Sequence, residues 1–529
     1  MQRRQLFKTL SFGGAMLALP RISVAQDRRT LKYVPLTDVT VLDPVWTTAY
    51  ITRDHAAMVF DTLYGIGADY EPVPQMVAGH VVEDDGKRWT LTLRPGLRFH
   101  DGEPVLARDC VASVSRWGKR DAFGQALLAV TDELSATDDR TIVFRLKRPF
   151  PMLPRCLGRY GAPYPAIMPE RLAKTDPYTQ VTEMVGSGPF RFKADERISG
   201  ALAVYERFTD YRPREDGVPG GTAGPKIVHL DRVEWHVQPD SATAVNALLT
   251  GEVDWVNNPS TDLMPLLKRS RHIKVQQLDP LGNIAIIRMN HLHPPFNNPA
   301  IRRALLAAVN QEDFMLAMMG EDRALWRTGI GVFAPASPMA TDAGMEVVNG
   351  SHDLDRAKRE IEAAGYKGEP VVAMIPTDSP KLHAIGEVAV DLMRRIGLNI
   401  DYQAMDWGTL TQRRAKKEPL DQGGWSVFFT TWAGNDMFDP AGHLSIRGTG
   451  DRAWFGWPTS PVLEELRNAW FEAPDLASQR AICERIQRQV FVDVPYIPLG
   501  QVFYSTATQA SVTGLLPGFP IFWNVQKAA

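Results

Sequence analysis

Trp432 ends an apolar run, Val427-Phe428-Phe429, and opens into Ala433-Gly434-Asn435-Asp436. An indole at a strand-to-loop junction, with an amide and a carboxylate just beyond it, has the parts of a small-molecule pocket. The ring would stack on a ligand and the carboxylate take an amine or other cation; core packing is the alternative for the indole. Six of the 13 tryptophans lie between 407 and 470. Trp470, at helical spacing from Leu463 and Leu466, reads as core. His291 and His293 place two imidazoles on one face of a strand, the beginning of a metal pair, but no third ligand is near and Pro294-Pro295 follow at once. A secreted metal-dependent hydrolase built on these histidines, or a nickel or metal-chelate binder, is the alternative reading of the chain.

Other catalytic patterns fail on spacing. Gly186-Ser187-Gly188 is too short for a nucleophile elbow. The stretch from Gly220 to Lys226 lacks Gly-Lys-Ser/Thr, and Pro225 removes a backbone N–H that a phosphate loop would use. Gly65-Ile66-Gly67 has no third glycine for a dinucleotide fingerprint. The three cysteines, at 110, 156 and 483, are too scattered for a disulfide framework or a CxxC zinc site. No enzyme motif survives, and no cofactor is implied.

The elements that must position Trp432 and its neighbours read as mixed α/β. Trp89, Leu91 and Leu93 alternate with polar residues, as do Ile142, Phe144 and Leu146, so both segments are expected to be half-buried strands. Asn298 is a natural N-cap, with Pro299 at the first helical position and Ile301, Leu305 and Val309 following on one face. Ile385, Val388, Ala389, Leu392 and Ile396 form a second stripe that Gly397 stops, and a strand from Leu398 to Met405 follows. A helix ending at Gly365 leads in the same way into a strand Val371–Ile375. Pro213–Pro225, rich in Gly and Pro, is expected to be an exposed loop.

With 529 residues, the chain has room for about three domains. A net charge of −2 gives no electrostatic case for nucleic acid, which needs a concentrated basic surface. Residues 1–25 read as an export signal: Arg3, Arg4 and Lys8, a short apolar run from Leu10 to Leu19, then Ser23-Val24-Ala25 before the cleavage point. The adjacent arginines suggest twin-arginine export, with a general secretory signal as the alternative. Its removal takes four basic residues and no acidic ones, leaving a more acidic chain. With no cysteine near the cleavage site, the expected product is a soluble periplasmic protein without a lipid anchor.

Four blocks and one tripeptide then resemble the family 5 extracellular solute-binding proteins of ABC importers, which include dipeptide-, oligopeptide- and nickel-binding proteins. They are residues 88–117, with Phe99-His100-Asp101-Gly102 at the centre; 186–192, GSGPFRF; 289–314; 354–366; and Leu42-Asp43-Pro44. They fall in the family's order along essentially the whole exported chain. The resemblance implies a bilobal periplasmic-binding-protein fold with an inserted third domain and a ligand cleft between the lobes. The first lobe is expected from 26–62, 186–289 and 499–529, the insertion from 63–185, and the second lobe from 290–498. His100 and Asp101 become turn residues rather than catalytic ones.

The function so implied is a monomeric, non-enzymatic receptor. It closes on a peptide or other small organic solute and delivers it to the transmembrane subunits of an ABC permease. Peptide binders of the family place a carboxylate on the peptide amine at Trp-x-x-Asp. Here Asn435 stands at that spacing and Asp436 one place on, so either the carboxylate is displaced by one residue or a neutral amide replaces it. The arginine that dipeptide binders present after the strand matching Val371–Ile375 is absent, and only Lys381 could take a ligand carboxylate there. The expected site is Trp432, Asn435 and Asp436 from the second lobe, facing Trp46, Tyr50 and Arg53, which follow the Leu-Asp-Pro turn in the first.

Overall fold

The computed structural model describes residues 29–528; the expected export signal, residues 1–25, lies outside them. Among the described residues, three large sheets and two two-stranded ones divide the chain. The seven-stranded sheet runs Ile273–Gln276, Thr506–Gln509, Trp255–Asn257, Thr30–Val34, Arg232–His236, Leu202–Arg207, Phe190–Phe192. Its central strand Thr30–Val34 is parallel to both neighbours. The six-stranded sheet runs Trp326–Arg327, Tyr496–Val502, Asn283–Met289, Val427–Ala433, Pro370–Pro376, Asn399–Met405, and its last three strands are mutually parallel. A four-stranded antiparallel sheet, Val77–Glu83, Arg88–Leu93, Thr141–Leu146, Thr131–Ala136, occupies the insertion. The architecture is bilobal α/β with an inserted third unit.

The strand between Met289 and Asn283 sits on the other side of the lobe boundary from the one expected. Asn283–Met289 hydrogen-bonds to Val427–Ala433 and to Tyr496–Val502, so it belongs to the six-stranded sheet. The chain therefore passes between the two large sheets at 277–282 and returns at 503–505. That strand is buried almost throughout, so its apolar run carries no period-2 signature to tie it to one sheet face.

Local chemistry produced the anticipated elements. Asn298 accepts from the Ala300 N–H and starts Pro299–Ala308, and Pro380–Arg395 ends before Gly397 at φ +90. Trp89, Leu91 and Leu93 are buried along Arg88–Leu93, which pairs with Thr141–Leu146. Pro213–Pro225 differs from expectation: residues 220–224 are buried. Thr222 Oγ1 accepts from the Ile66 N–H at 3.0 Å and the Thr222 N–H donates back to the Ile66 carbonyl. A Cβ at Gly65 would meet the Thr222 carbonyl. The two glycine-rich stretches that superficially resemble nucleotide loops thus pack on one another.

The insertion is fixed to the first lobe through the recognisable motif blocks. Asp43 of the Leu-Asp-Pro turn is fully buried and takes both Arg116 η-nitrogens, at 3.1 and 2.6 Å, plus the Val181 N–H. His100 donates from Nε2 to the Gly188 carbonyl at 3.0 Å and from its backbone N–H to Gly186. Burial pushes its imidazole down to about 4. Gly186 and Gly188 lie against the Val59 and Met58 carbonyls, where a side chain would collide. Among the described residues, no helix is long and apolar enough to cross a membrane.

Candidate functional site

In α/β sheets, ligands bind beyond the carboxyl ends of parallel strands, where loops and helix starts present their side chains. On the six-stranded sheet those ends are Pro376, Met405 and Ala433, followed by the loops bearing Lys381, Trp407 and Asp436. On the seven-stranded sheet, Asn258 follows Trp255–Asn257, and the loop after Val34 leads into the helix Tyr50–Val59.

Side chains meet between these edges. Tyr50 donates to Asp436 Oδ2 at 2.7 Å and accepts from the Ala433 N–H at 2.7 Å. Arg159, from the insertion, reaches Asp436 Oδ1 at 3.4 Å and pairs with Asp121 at 2.7 Å. Asp121 also caps the helix Ala122–Val130. Asp436 is thus engaged from both other parts of the molecule. Burial pushes its carboxyl up, opposed by Arg159, Tyr50 and Arg53. A Cβ at Gly161 would meet Asp436, and one at Gly442 would meet Arg159, so both glycines make room for the pair.

Arg53 lies over the rings of Tyr50, at 4.7 Å, and Phe519, at 4.1 Å, and pairs with Asp54. Asn435 is half-buried, and its side chain makes no hydrogen bond with the described residues. Trp46 goes elsewhere: its ring faces Arg120 of the insertion at 5.2 Å rather than Trp432, and its carbonyl accepts from the same guanidinium. The structure therefore joins Tyr50 to Asp436, sets Arg53 behind Tyr50, and leaves Trp46 at the insertion.

Lys381, at the start of Pro380–Arg395, crosses to the first lobe. It donates to Asn258 Oδ1 at 2.5 Å and lies 4.6 Å from the ring of Tyr504 in the returning segment. No carboxylate pairs with it among the described residues, and burial pushes its ammonium down to about 8. Trp432 is 5% exposed, meets Trp454 edge-on at 5.0 Å, and has an Nε1–H with no acceptor. A buried donor left unpaired costs about 1–3 kcal/mol, so such a group is a candidate for ligand contact.

Arg159 and Trp454 escape sequence reasoning, because each acts through a partner, Asp436 and Trp432, to which no periodic pattern links it. The histidine pair does not assemble. His291 is buried, with its imidazole pushed well below its usual value by burial and by Arg302 and Arg288. His293 turns to the Lys417 carbonyl at 2.8 Å. Among the described residues, no cluster of three His, Cys, Asp or Glu side chains could hold a metal ion.

Residues 71–453 match the family described as bacterial extracellular solute-binding proteins, family 5 Middle. A probable peptide ABC transporter periplasmic-binding protein of Sinorhizobium fredii (strain NBRC 101917 / NGR234) is 37% identical over 535 residues, spanning 100% of both chains. Two solved structures share the fold. A periplasmic binding protein of A. tumefaciens R10 in complex with agropinic acid has a TM-score of 0.79 at 21% identity, covering 94% of this chain and 99% of that one. A dipeptide-binding protein of Pseudoalteromonas sp. SM9913 in complex with Met-Leu has a TM-score of 0.77 at 19% identity, covering 94% and 100%.

Proposed function

The chain belongs to the bacterial extracellular solute-binding proteins of family 5, and from that premise we propose that it captures a small, carboxylate-bearing organic solute in the cleft and delivers it to an ABC permease. The ligand touches both lobes, stabilises the closed arrangement, and is carried as cargo without chemical change. The observation that carries the ligand class is the pairing of a spent anion with a free cation. Asp436 is already held by Tyr50 and Arg159, whereas Lys381 stands at the lobe junction with only the neutral Asn258 and Tyr504 beside it. A solute lacking a free α-amine but carrying a carboxylate complements that distribution. Trp432 supplies the stacking surface.

A second reading is a peptide whose amine displaces the Tyr50 hydroxyl from Asp436. It is favoured by the name of the Sinorhizobium fredii relative, a probable peptide-transport protein. Native mass spectrometry of co-purified solute, followed by a thermal-shift screen of organic acids, amine-blocked peptides and free peptides, separates the two, because a ligand raises stability by mass action. Shifts with organic acids and blocked peptides support the first reading. Shifts confined to peptides with a free amine overturn it in favour of the second. The reading assigns the protein to the periplasm, as an exported monomer, without a cofactor or catalytic step.

A further inference from the structure

Two arginines share the aromatic cluster beside Trp432 and have opposite surroundings. Arg288 lies 5.0 Å from the Trp454 ring and is fully committed, donating to the carbonyls of Phe455, Trp454, Ser445 and Pro495. Arg414 approaches the rings of Phe455 at 4.8 Å, Trp454 at 5.6 Å, and Trp407 and Phe428 at 5.8 Å. Its guanidinium makes no hydrogen bond or ion pair with the described residues, and its Nε is buried without an acceptor. The Nε1–H groups of Trp432 and Trp454 are buried and unpaired as well. Three orphaned donors and a fixed positive charge therefore collect where no acceptor is offered.

Trp454 joins this cluster to Trp432 at the cleft edge, the two rings 5.0 Å apart. Trp432 immediately precedes Ala433, whose N–H meets Tyr50 of the first lobe. The Trp407 N–H donates to Asp378 at 2.8 Å, in the turn just before the helix that carries Lys381. Aromatic cation contacts alone hold a guanidinium face, but they leave its in-plane N–H edge unsatisfied, and that edge fits a carboxylate or similar oxyanion bidentately.

We propose that Arg414, with the indole N–H groups of Trp432 and Trp454, forms an anion subsite that selects solutes bearing a carboxylate or other oxyanion arm. The subsite rests on the solute-capture reading and adds a second point of anion recognition, distinct from Lys381, so the favoured cargo is a dicarboxylate or an acidic peptide-like molecule. Flat aromatic walls suit a planar group.

The test uses the full exported chain and matched probe pairs: glutarate against glutaramide, and N-acetylglutamate against N-acetylglutamine. Calorimetry and thermal shift measure wild type, Arg414→Met, which keeps the packed stem, and Arg414→Lys. Wild type is expected to favour the acid of each pair at least tenfold. Arg414→Met should cut each ratio at least fivefold, leaving the preference that Lys381 supplies, while neutral members bind unchanged, and Arg414→Lys should retain an intermediate preference. The melting temperature of each ligand-free variant is recorded as the control for folding. Equal binding of acid and amide by wild type overturns the subsite, as does an acid preference that Arg414→Met leaves undiminished. A co-purified solute without an anionic group overturns the subsite and leaves solute capture standing. Binding of no probe, with no co-purified solute, overturns solute capture itself.

Discussion

Tyr50 and Asp436 are 386 residues apart in sequence and meet through a 2.7 Å hydrogen bond between the two lobes. The phenol simultaneously accepts the Ala433 N–H, so one side chain of the first lobe holds both the carboxylate and the backbone that follows Trp432. Tyr50→Phe keeps the ring under Arg53 and removes only the hydroxyl. A hydrogen bond to a charged group contributes about 1.5–3 kcal/mol, so a closed-state loss of tenfold or more is expected. Small-angle scattering should show a larger ligand-free radius of gyration, and calorimetry a weaker affinity for acidic solutes. An unchanged radius and affinity would mean that the bridge does not control closure.

Gly161→Ala tests the other grip on Asp436. The added methyl group would enter the space of the Asp436 carboxylate, pushing it from Arg159 and leaving a buried ion pair half-broken. Losing one partner of such a pair costs about 3–5 kcal/mol, read as a lower melting temperature. Arg159→Met should give a similar loss, and combining the two should cost less than their sum, because both act on one contact.

Much of the fold is legible in the chain because local rules act where the elements are regular. Asn298-Pro299 starts its helix, Gly397 stops another, and the alternation around Trp89 matches a strand with one buried face. The resemblance puts the lobe boundary after Met289, and the strand Asn283–Met289 pairs instead within the six-stranded sheet; its continuous apolar run says that both faces are covered and nothing about which sheet covers them. The site is less legible. Tyr50 and Asp436 each stand beside a recognisable turn, but nothing local announces that they meet. Arg159 looks like one more surface arginine until Asp121 and Asp436 close around it. Arg414 sits among Lys and Arg residues at a helix end, and its aromatic surroundings exist only once Phe428 and Trp454 arrive from later in the chain.

Asp43 belongs to the most recognisable tripeptide of the first lobe, yet its contacts are architectural. Arg116→Met would strand a fully buried carboxylate with only backbone donors, again at a cost of about 3–5 kcal/mol. The melting temperature should fall sharply while the affinity of the surviving folded protein for its solute stays within about twofold, since neither residue faces Trp432 or Lys381. A large affinity change at unchanged stability would move the Leu-Asp-Pro turn into the binding site.

Trp432→Ala and Trp432→Phe separate stacking from donation. Alanine removes the ring and the N–H, whereas phenylalanine removes the N–H and part of the ring area but keeps an aromatic face. With base cost set by lost aromatic area and one unpaired donor relieved, alanine should weaken solute binding at least tenfold and phenylalanine by a smaller factor, seen most clearly with acidic probes. Equal affinity in wild type and Trp432→Ala would remove Trp432 from the site.

Lys381 makes binding of an acidic solute depend on pH in a defined direction. Burial lowers its ammonium to about 8 in the ligand-free protein, and an incoming carboxylate favours the charged form and raises that value. Affinity should therefore be flat below about pH 7 and fall as pH rises through 8, approaching tenfold per unit until the bound-state value is reached. Asn258 and Tyr504, the groups beside the ammonium, carry no charge in this range. Calorimetry with glutarate from pH 6 to 9.5 reads the slope, and Lys381→Met should flatten it while lowering the affinity at pH 7. Glutaramide, which has no carboxylate to offer, should show no such slope in wild type. A slope that persists in Lys381→Met would assign the titration to another group and leave the carboxylate of the cargo without this partner.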